Sequence, residues 1–381
     1  MNHWIAHAKD RLGLSFHEPQ SIETHLAAAA EWLLEAQRAT PDDGVAHSYN
    51  IKTGGWMASY PETTGYVIPT LYDYAHHFDK PQYRDAALKM ARWEVAVQLP
   101  DGGVRAGTMA AEIVAPTIFN TGQVLFGLAR AAKESGDAAI HDSLVRAADW
   151  LVAAQDDDGC WRRFVSPFAH SQNGTYNTRS AFGLVRAHEV VGDARYLDSA
   201  DRNVHWALST ALANGWLPGN CLTTNPDDRA LTHTIAYSIR GILEVGVATE
   251  NPTYIKAALS MARRVADRQN ADGSLSGYFS PQWEPLCDWS CVTGNSQMAL
   301  NWYRIAKATG ETDLMTHARA ANRFNMRIQK LDGPLTMRGA MKGSHPIGED
   351  YMQWKFPNWA TKFFMDGLMF ERLFDRIDNI G

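Results

Sequence analysis

The chain has 381 residues, 45% of them hydrophobic and 20% charged, with a net charge of −6. That composition excludes a disordered or collagen-like chain. An acidic balance without a basic run gives neither a nucleic-acid footprint nor a membrane-surface patch.

The N-terminus, MNHWIAHAKDRLGLSFHEP, has no apolar core region and no small-residue cleavage site, so it does not read as a signal peptide. No apolar stretch approaches the roughly 18 residues of a spanning helix. Four cysteines, Cys160, Cys221, Cys287 and Cys291, are too few for a disulfide framework at this length. The expectation is a soluble cytoplasmic protein with no membrane and no nucleic-acid partner.

From Trp32 onward the chain repeats. Gln98, Gln155, Gln269 and Gln329 each open a Gln-x-x-Asp-Gly turn. Gln37 opens a copy with a short insertion, and Ala211 replaces the glutamine in another. The glycines 44, 102, 159, 215, 273 and 333 lie 56 to 60 residues apart. Five residues before each Gln or its replacement stand Trp32, Trp93, Trp150, Trp206 and Phe324, with Arg264 breaking the series. Such registered periodicity marks a repeat architecture.

Each copy holds two helical patterns. HDSLVRAADWLVAAQ places Leu144, Ala147, Ala148, Leu151 and Val152 on one stripe, which is a helix with one wet face. NTGQVLFGLARAA is apolar nearly all round, which is a helix buried on both sides. Starts of the buried helices are predicted at Thr63-Thr64, Asn120-Thr121, Asn177-Thr178, His233-Thr234, Thr293-Gly294 and Asn358-Trp359, with these residues as caps. Six one-faced and six buried helices predict an all-α (α/α)6 double ring over residues 1–381 as one domain, closed rather than an open solenoid. Short polar connections such as Gly136-Asp137 and Gly192-Asp193 follow the inner helices. Long loops, for example 99–120, 156–177 and 330–357, precede them. Those loops, with the positive ends of the inner helices, are expected to hold the largest pocket.

The Gln155-Gly159-Trp161 run resembles the repeat of squalene-type cyclases and of the β subunit of protein prenyltransferases. The sixfold double ring is similar to the (α/α)6 toroids of carbohydrate-active enzymes: unsaturated glucuronyl hydrolases, other glycosidases, polysaccharide lyases and sugar epimerases. The cyclase likeness would require an acidic cluster in the central cavity. Asp156-Asp157-Asp158 sits instead in a repeat turn and reads as a helix stop. Asp288, Cys291 and His345 are the residue types of the prenyltransferase zinc site, but at no matching spacing. Cys287 and Cys291 read as free thiols, and no metal or cofactor motif is visible.

The loops are rich in sugar-binding chemistry: flat rings beside carboxylates, imidazoles and amides. The candidates are Tyr60, Glu62, Glu112, His170, Tyr176, His233, Asp288, Trp289, Arg338, Lys342, His345, Tyr351 and Trp354. The resemblance implies a glycoside hydrolase acting on an oligosaccharide, uronate-bearing ones included. Hydrolysis takes one carboxyl to protonate the leaving oxygen and a second to activate water or attack. Glu62, Glu112, Glu284, Asp288, Glu349 and Asp350 form the pool. Asp288 and Glu62, with His233, are taken as catalytic, and Arg338 and Lys342 as the cations for a uronate. A lyase or epimerase would instead use Tyr or His to move a proton at carbon. A non-catalytic polysaccharide-binding protein and an isoprenoid enzyme are the readings from other classes.

Overall fold

The computed structural model describes residues 2–168, 174–222 and 227–378. A short α1 (His3–Arg11) precedes six helix pairs: α2 (Ile22–Arg38) with α3 (Pro61–Phe78), α4 (Pro81–Val97) with α5 (Ile118–Ser135), and α6 (Ala138–Ala154) with α7 (Thr178–Val191). The series continues with α8 (Ala194–Ser209) and α9 (Thr232–Ala248), α10 (Pro252–Ala266) and α11 (Val292–Thr309), and α12 (Leu314–Ile328) and α13 (Asn358–Asp378). The odd-numbered helices from α3 to α13 pack on one another in sequence, and α13 returns to α3 and α2. The fold is the (α/α)6 double ring, closed as expected.

The repeat glutamine holds the outer ring together. Gln155 Nε2 donates to Gly159 O at 3.0 Å within its own turn and to Ser199 O at 2.9 Å on the next outer helix. Gln98 does the same with Gly102 and Ser143, and Gln269 with Gly273 and His317. Gln329 reaches back to His25 O, so the same device joins the last outer helix to the first. Ala211 cannot make this bond, which leaves α8–α10 as the junction without it. Gly159 is required twice over: its φ is +91°, and a Cβ would lie 2.4 Å from Arg202 O. In the sixth copy Gln329 bonds Gly339 O, not Gly333. Gly339, at φ +87°, approaches Ala28 O, so it takes the role assigned from spacing to Gly333. Asp156 and Asp158 are bound by Arg162 at the end of α6, a helix stop outside the ring interior.

Thr64 and Thr121, predicted as caps, do other work, and so does Thr361 near the predicted start at Asn358-Trp359. Thr64 Oγ1 accepts from Val45 N, Thr121 Oγ1 from Val104 N and Thr361 Oγ1 from Met341 N. Each threonine thus lies inside the first turn and ties the preceding long loop to its inner helix. Among the inner helices Cys291 Sγ caps α11, and several outer helices carry side-chain caps, for example Asp137 on α6 and Asp193 on α8.

Strand is confined to these loops. β1 (Ser48–Asn50) pairs antiparallel with β2 (Gly55–Trp56), and β3 (Ala230–Leu231) with β4 (Tyr278–Phe279). β5 (Ser290–Cys291) pairs with β6 (Ser344–His345), and β7 (Lys355–Pro357) joins β1 with Tyr49 opposite Phe356. The β1–β7 pair laces the first long loop to the last across the point of ring closure. No helix among the described residues is long and apolar enough to cross a membrane.

Candidate active site

Inner-helix N-termini converge at the loop face, and the first turns contribute an aromatic wall. Tyr60 precedes α3 and its hydroxyl donates to Glu62 Oε2. Phe119, on α5, lies 5.2 Å from the Tyr176 ring before α7 and 5.1 Å from Tyr237 on α9. His233 lies 4.4 Å from Tyr237 and 5.5 Å from Tyr351, centroid to centroid. Trp359, on α13, donates from Nε1 to Tyr351 Oη at 2.8 Å and packs edge-on against His47 at 4.7 Å. His47 in turn stacks on Tyr60 at 5.4 Å. The floor is Tyr66, Tyr237 and Phe363, with the Arg179 guanidinium 5.6 Å from the Tyr237 ring.

This enclosure decides the protonation states. Burial pushes the Glu62 carboxyl up to about 7, and the Tyr60 hydrogen bond opposes the shift only in part. Burial lowers His233 to about 4, against the Gln297 bond and with help from Arg179. His233 Nδ1 lies 2.6 Å from Gln297 Oε1. With that amide oxygen as acceptor, the imidazole carries its proton on Nδ1 and leaves the Nε2 lone pair free. Burial, then the Lys355 charge, lowers His47 to about 3. Near neutrality the site therefore holds two neutral imidazoles and a carboxyl poised to give up its proton.

Of the residues singled out from sequence, Tyr60, Glu62, Tyr176, His233 and Tyr351 come together here. The others do not. Asp288 is 77% exposed at its side chain and pairs with Arg11 at 2.8 Å. Glu349 binds the same Arg11, Glu284 pairs with Arg268, and Glu112 and Asp350 are exposed. Arg338 pairs with Glu31 on α2 at 2.9 Å. Lys342 is buried against Asp10 of α1 at 2.6 Å, and His345 lies in the same network between Phe16 and Phe324. Trp354 packs on His3, Trp4 and His7 of α1. Trp289 is buried behind Tyr351, edge-on to Tyr278 at 5.4 Å. His170 lies outside the described residues. His47, Phe119, Tyr237, Gln297 and Arg179 were missed. One signal was available: the residue two places before each loop-tying threonine is Glu62, Phe119 or Trp359.

A cavity of about 690 Å³ opens at the opposite mouth, between the C-terminal halves of the inner helices. Large rings fill much of the loop-face end, whereas the far end is lined by long charged side chains that leave space between them. No group of three or more His, Cys, Asp or Glu among the described residues could hold a metal ion. None of Cys160, Cys221, Cys287 and Cys291 is in a disulfide.

Residues 17–273 match the family model described as β-L-arabinofuranosidase, GH127 catalytic domain. No curated protein matches the sequence. Among solved structures, an unsaturated glucuronyl hydrolase specific for heparin is similar at 15% identity and a TM-score of 0.75, over 94% of this chain and 98% of that one. A D-mannose isomerase is similar at 14% identity and 0.72, over 93% and 97%. A cellobiose 2-epimerase from Bacillus thermoamylovorans B4167 is similar at 10% identity and 0.72, over 92% and 98%. At these identities the structural likeness is one of fold.

Proposed function

The chain belongs to the β-L-arabinofuranosidase GH127 catalytic-domain family and is a carbohydrate-active enzyme, and from that premise we propose that it hydrolyses a glycosidic bond with Glu62 as proton donor. The observation that carries this reading is the placement of Glu62. It is the one carboxylate of the sequence-derived pool inside the aromatic enclosure, and burial keeps it protonated up to about pH 7. A general acid works best with a pKa near the working pH.

In this scheme the bond between the anomeric carbon and the leaving oxygen breaks as that oxygen takes the Glu62 proton. A water attacks the anomeric carbon and gives its proton to His233 Nε2, which Gln297 holds in the accepting tautomer. Proton return from His233 to Glu62 through water resets the site. Single displacement of this kind inverts the anomeric centre. The aromatic wall supplies flat faces for the sugar. Arg338 and Lys342 are engaged by Glu31 and Asp10, which removes the reason to favour a uronate, so an L-arabinofuranoside is the first substrate to test. Release of p-nitrophenol from the β-L-arabinofuranoside, beside an unsaturated glucuronyl disaccharide, reads out the activity. Glu62→Gln is expected to lower kcat/KM by about 10²–10⁴-fold; full activity in that variant overturns the assignment.

The absence of a second carboxylate from the enclosure among the described residues also favours one other reading, epimerisation by proton transfer at carbon between Glu62 and His233. Incorporation of solvent deuterium into recovered sugar, without release of a new reducing end, would select it.

A further inference from the structure

The cavity at the far mouth shares Arg179 and Tyr66 with the floor of the site above but takes no part in the proposed proton transfers, and its charge is distributed unevenly. The wall formed by α3, α5 and α13 is balanced: Arg130 binds Asp73 and Glu134, and Lys362 binds Asp366. The wall formed by α7, α9 and α11 is not. It carries four guanidiniums, Arg179, Arg186, Arg240 and Arg304, against two carboxylates, Glu189 and Glu244.

The four are crowded. The guanidinium carbons of Arg186, Arg179 and Arg240 lie 4.8, 5.2 and 5.5 Å from the centroid of one ring, Phe182. Arg240 and Arg304 both donate to Glu244 Oε1 at 2.7 Å. Arg240 Nη1 is buried without a hydrogen-bond partner, and Arg179 makes no ion pair among the described residues: it bonds Gln123 at 3.3 Å and lies over the Phe126 ring at 4.2 Å. Burial and the neighbouring guanidiniums push Arg240 down to about 9, despite Glu244. Cations near helix C-termini are ordinarily answered by the carbonyl dipoles. Arg179 is not in that position, since it lies in the first turn of α7, and Arg240 is mid-way along α9.

We infer that this wall is a binding site for a dianionic phosphate group, carried as the monoester of a small organic body. Two uncompensated positive charges match a dianion, and guanidinium forks match its oxygens. A volume of about 690 Å³ exceeds what a bare phosphate fills and falls within the range of small-molecule pockets. Phe126, Phe182 and Phe370 line the remainder and give the organic body an apolar surface.

The test is calorimetry on the full chain with inorganic phosphate, with phenyl phosphate, and with phenol as the neutral control. One phosphate per chain is expected, with phenyl phosphate tighter than inorganic phosphate and no heat from phenol. Arg186→Gln, at the rim, and Arg240→Lys should each weaken binding about tenfold, while Glu62→Gln, on the other face, should leave it unchanged. If Arg240→Lys fails to fold, the rim variant alone decides. No heat from either phosphate at millimolar concentration, or undiminished affinity in Arg186→Gln, overturns the inference. Binding of inorganic phosphate as tight as phenyl phosphate rejects the organic body.

Discussion

Replacing Glu62 by glutamine should stabilise the protein while lowering turnover, and the stabilisation should depend on pH in a defined way. The folded-state carboxyl is raised from 4.5 to about 7. The folded chain therefore holds this proton more tightly than the unfolded chain. As pH rises through that window the native state loses stability relative to the unfolded one, and above it the loss is complete. At 1.36 kcal/mol per unit the loss is about 3 kcal/mol. Glutamine keeps the shape and a hydrogen-bonding oxygen for Tyr60 but never ionises, so it escapes the penalty. The difference in stability between variant and native chain should be near zero below pH 4.5 and about 3 kcal/mol above pH 7. With an unfolding entropy of about 2.1 cal/mol/K per residue, and a chain melting as one unit, that is a Tm difference of roughly 4 °C. Melting curves by circular dichroism across this range measure it. A Tm difference that stays constant with pH would mean that Glu62 titrates as an exposed carboxylate. The case for it as a proton donor near neutrality would then fall with it.

His233→Ala should reduce kcat/KM by about 10²–10⁴-fold; wild-type turnover would remove the imidazole from the mechanism. Asp288→Asn should leave turnover intact and cost at most about 1 kcal/mol, because it breaks only an exposed pair with Arg11. Loss of activity there would restore Asp288 to the site. Asp10→Asn should cost about 3 kcal/mol, since Asp10 accepts from Lys342 Nζ and Ile347 N inside the protein and its loss leaves a buried ammonium unpaired. An unchanged melting temperature would show that α1 does not hold the last loop in place.

The ring was legible because its repeat is chemical as well as numerical. A glutamine that must reach both its own turn and the next outer helix constrains the residues around it, and Gly159 can be nothing else at φ +91°. Spacing failed where a contact rather than a turn set the requirement. The sixth glycine that packs on α2 is Gly339, because the chain there takes six more residues to reach Ala28. The threonines looked like caps because caps and loop ties use the same hydroxyl, and only the loop's path distinguishes them.

The site was half legible, and the division follows the geometry. A residue in or just before the first turn of an inner helix is aimed by the repeat itself, so Glu62, Tyr176 and His233 could be located from position alone. A charge in a long loop can be claimed by any element that crosses it, and here that element is α1. Its Arg11 takes Asp288 and Glu349, its Asp10 takes Lys342, and its Trp4 packs on Trp354. The densest cluster of polar residues in the sequence is therefore largely the binding surface for the protein's own first helix. Tyr351 escapes because Trp359, in the first turn of α13, holds its hydroxyl within the enclosure. In a toroid of this kind, chemistry is best sought first at repeat positions facing the axis, and loop charges count toward the site only once their partners are known.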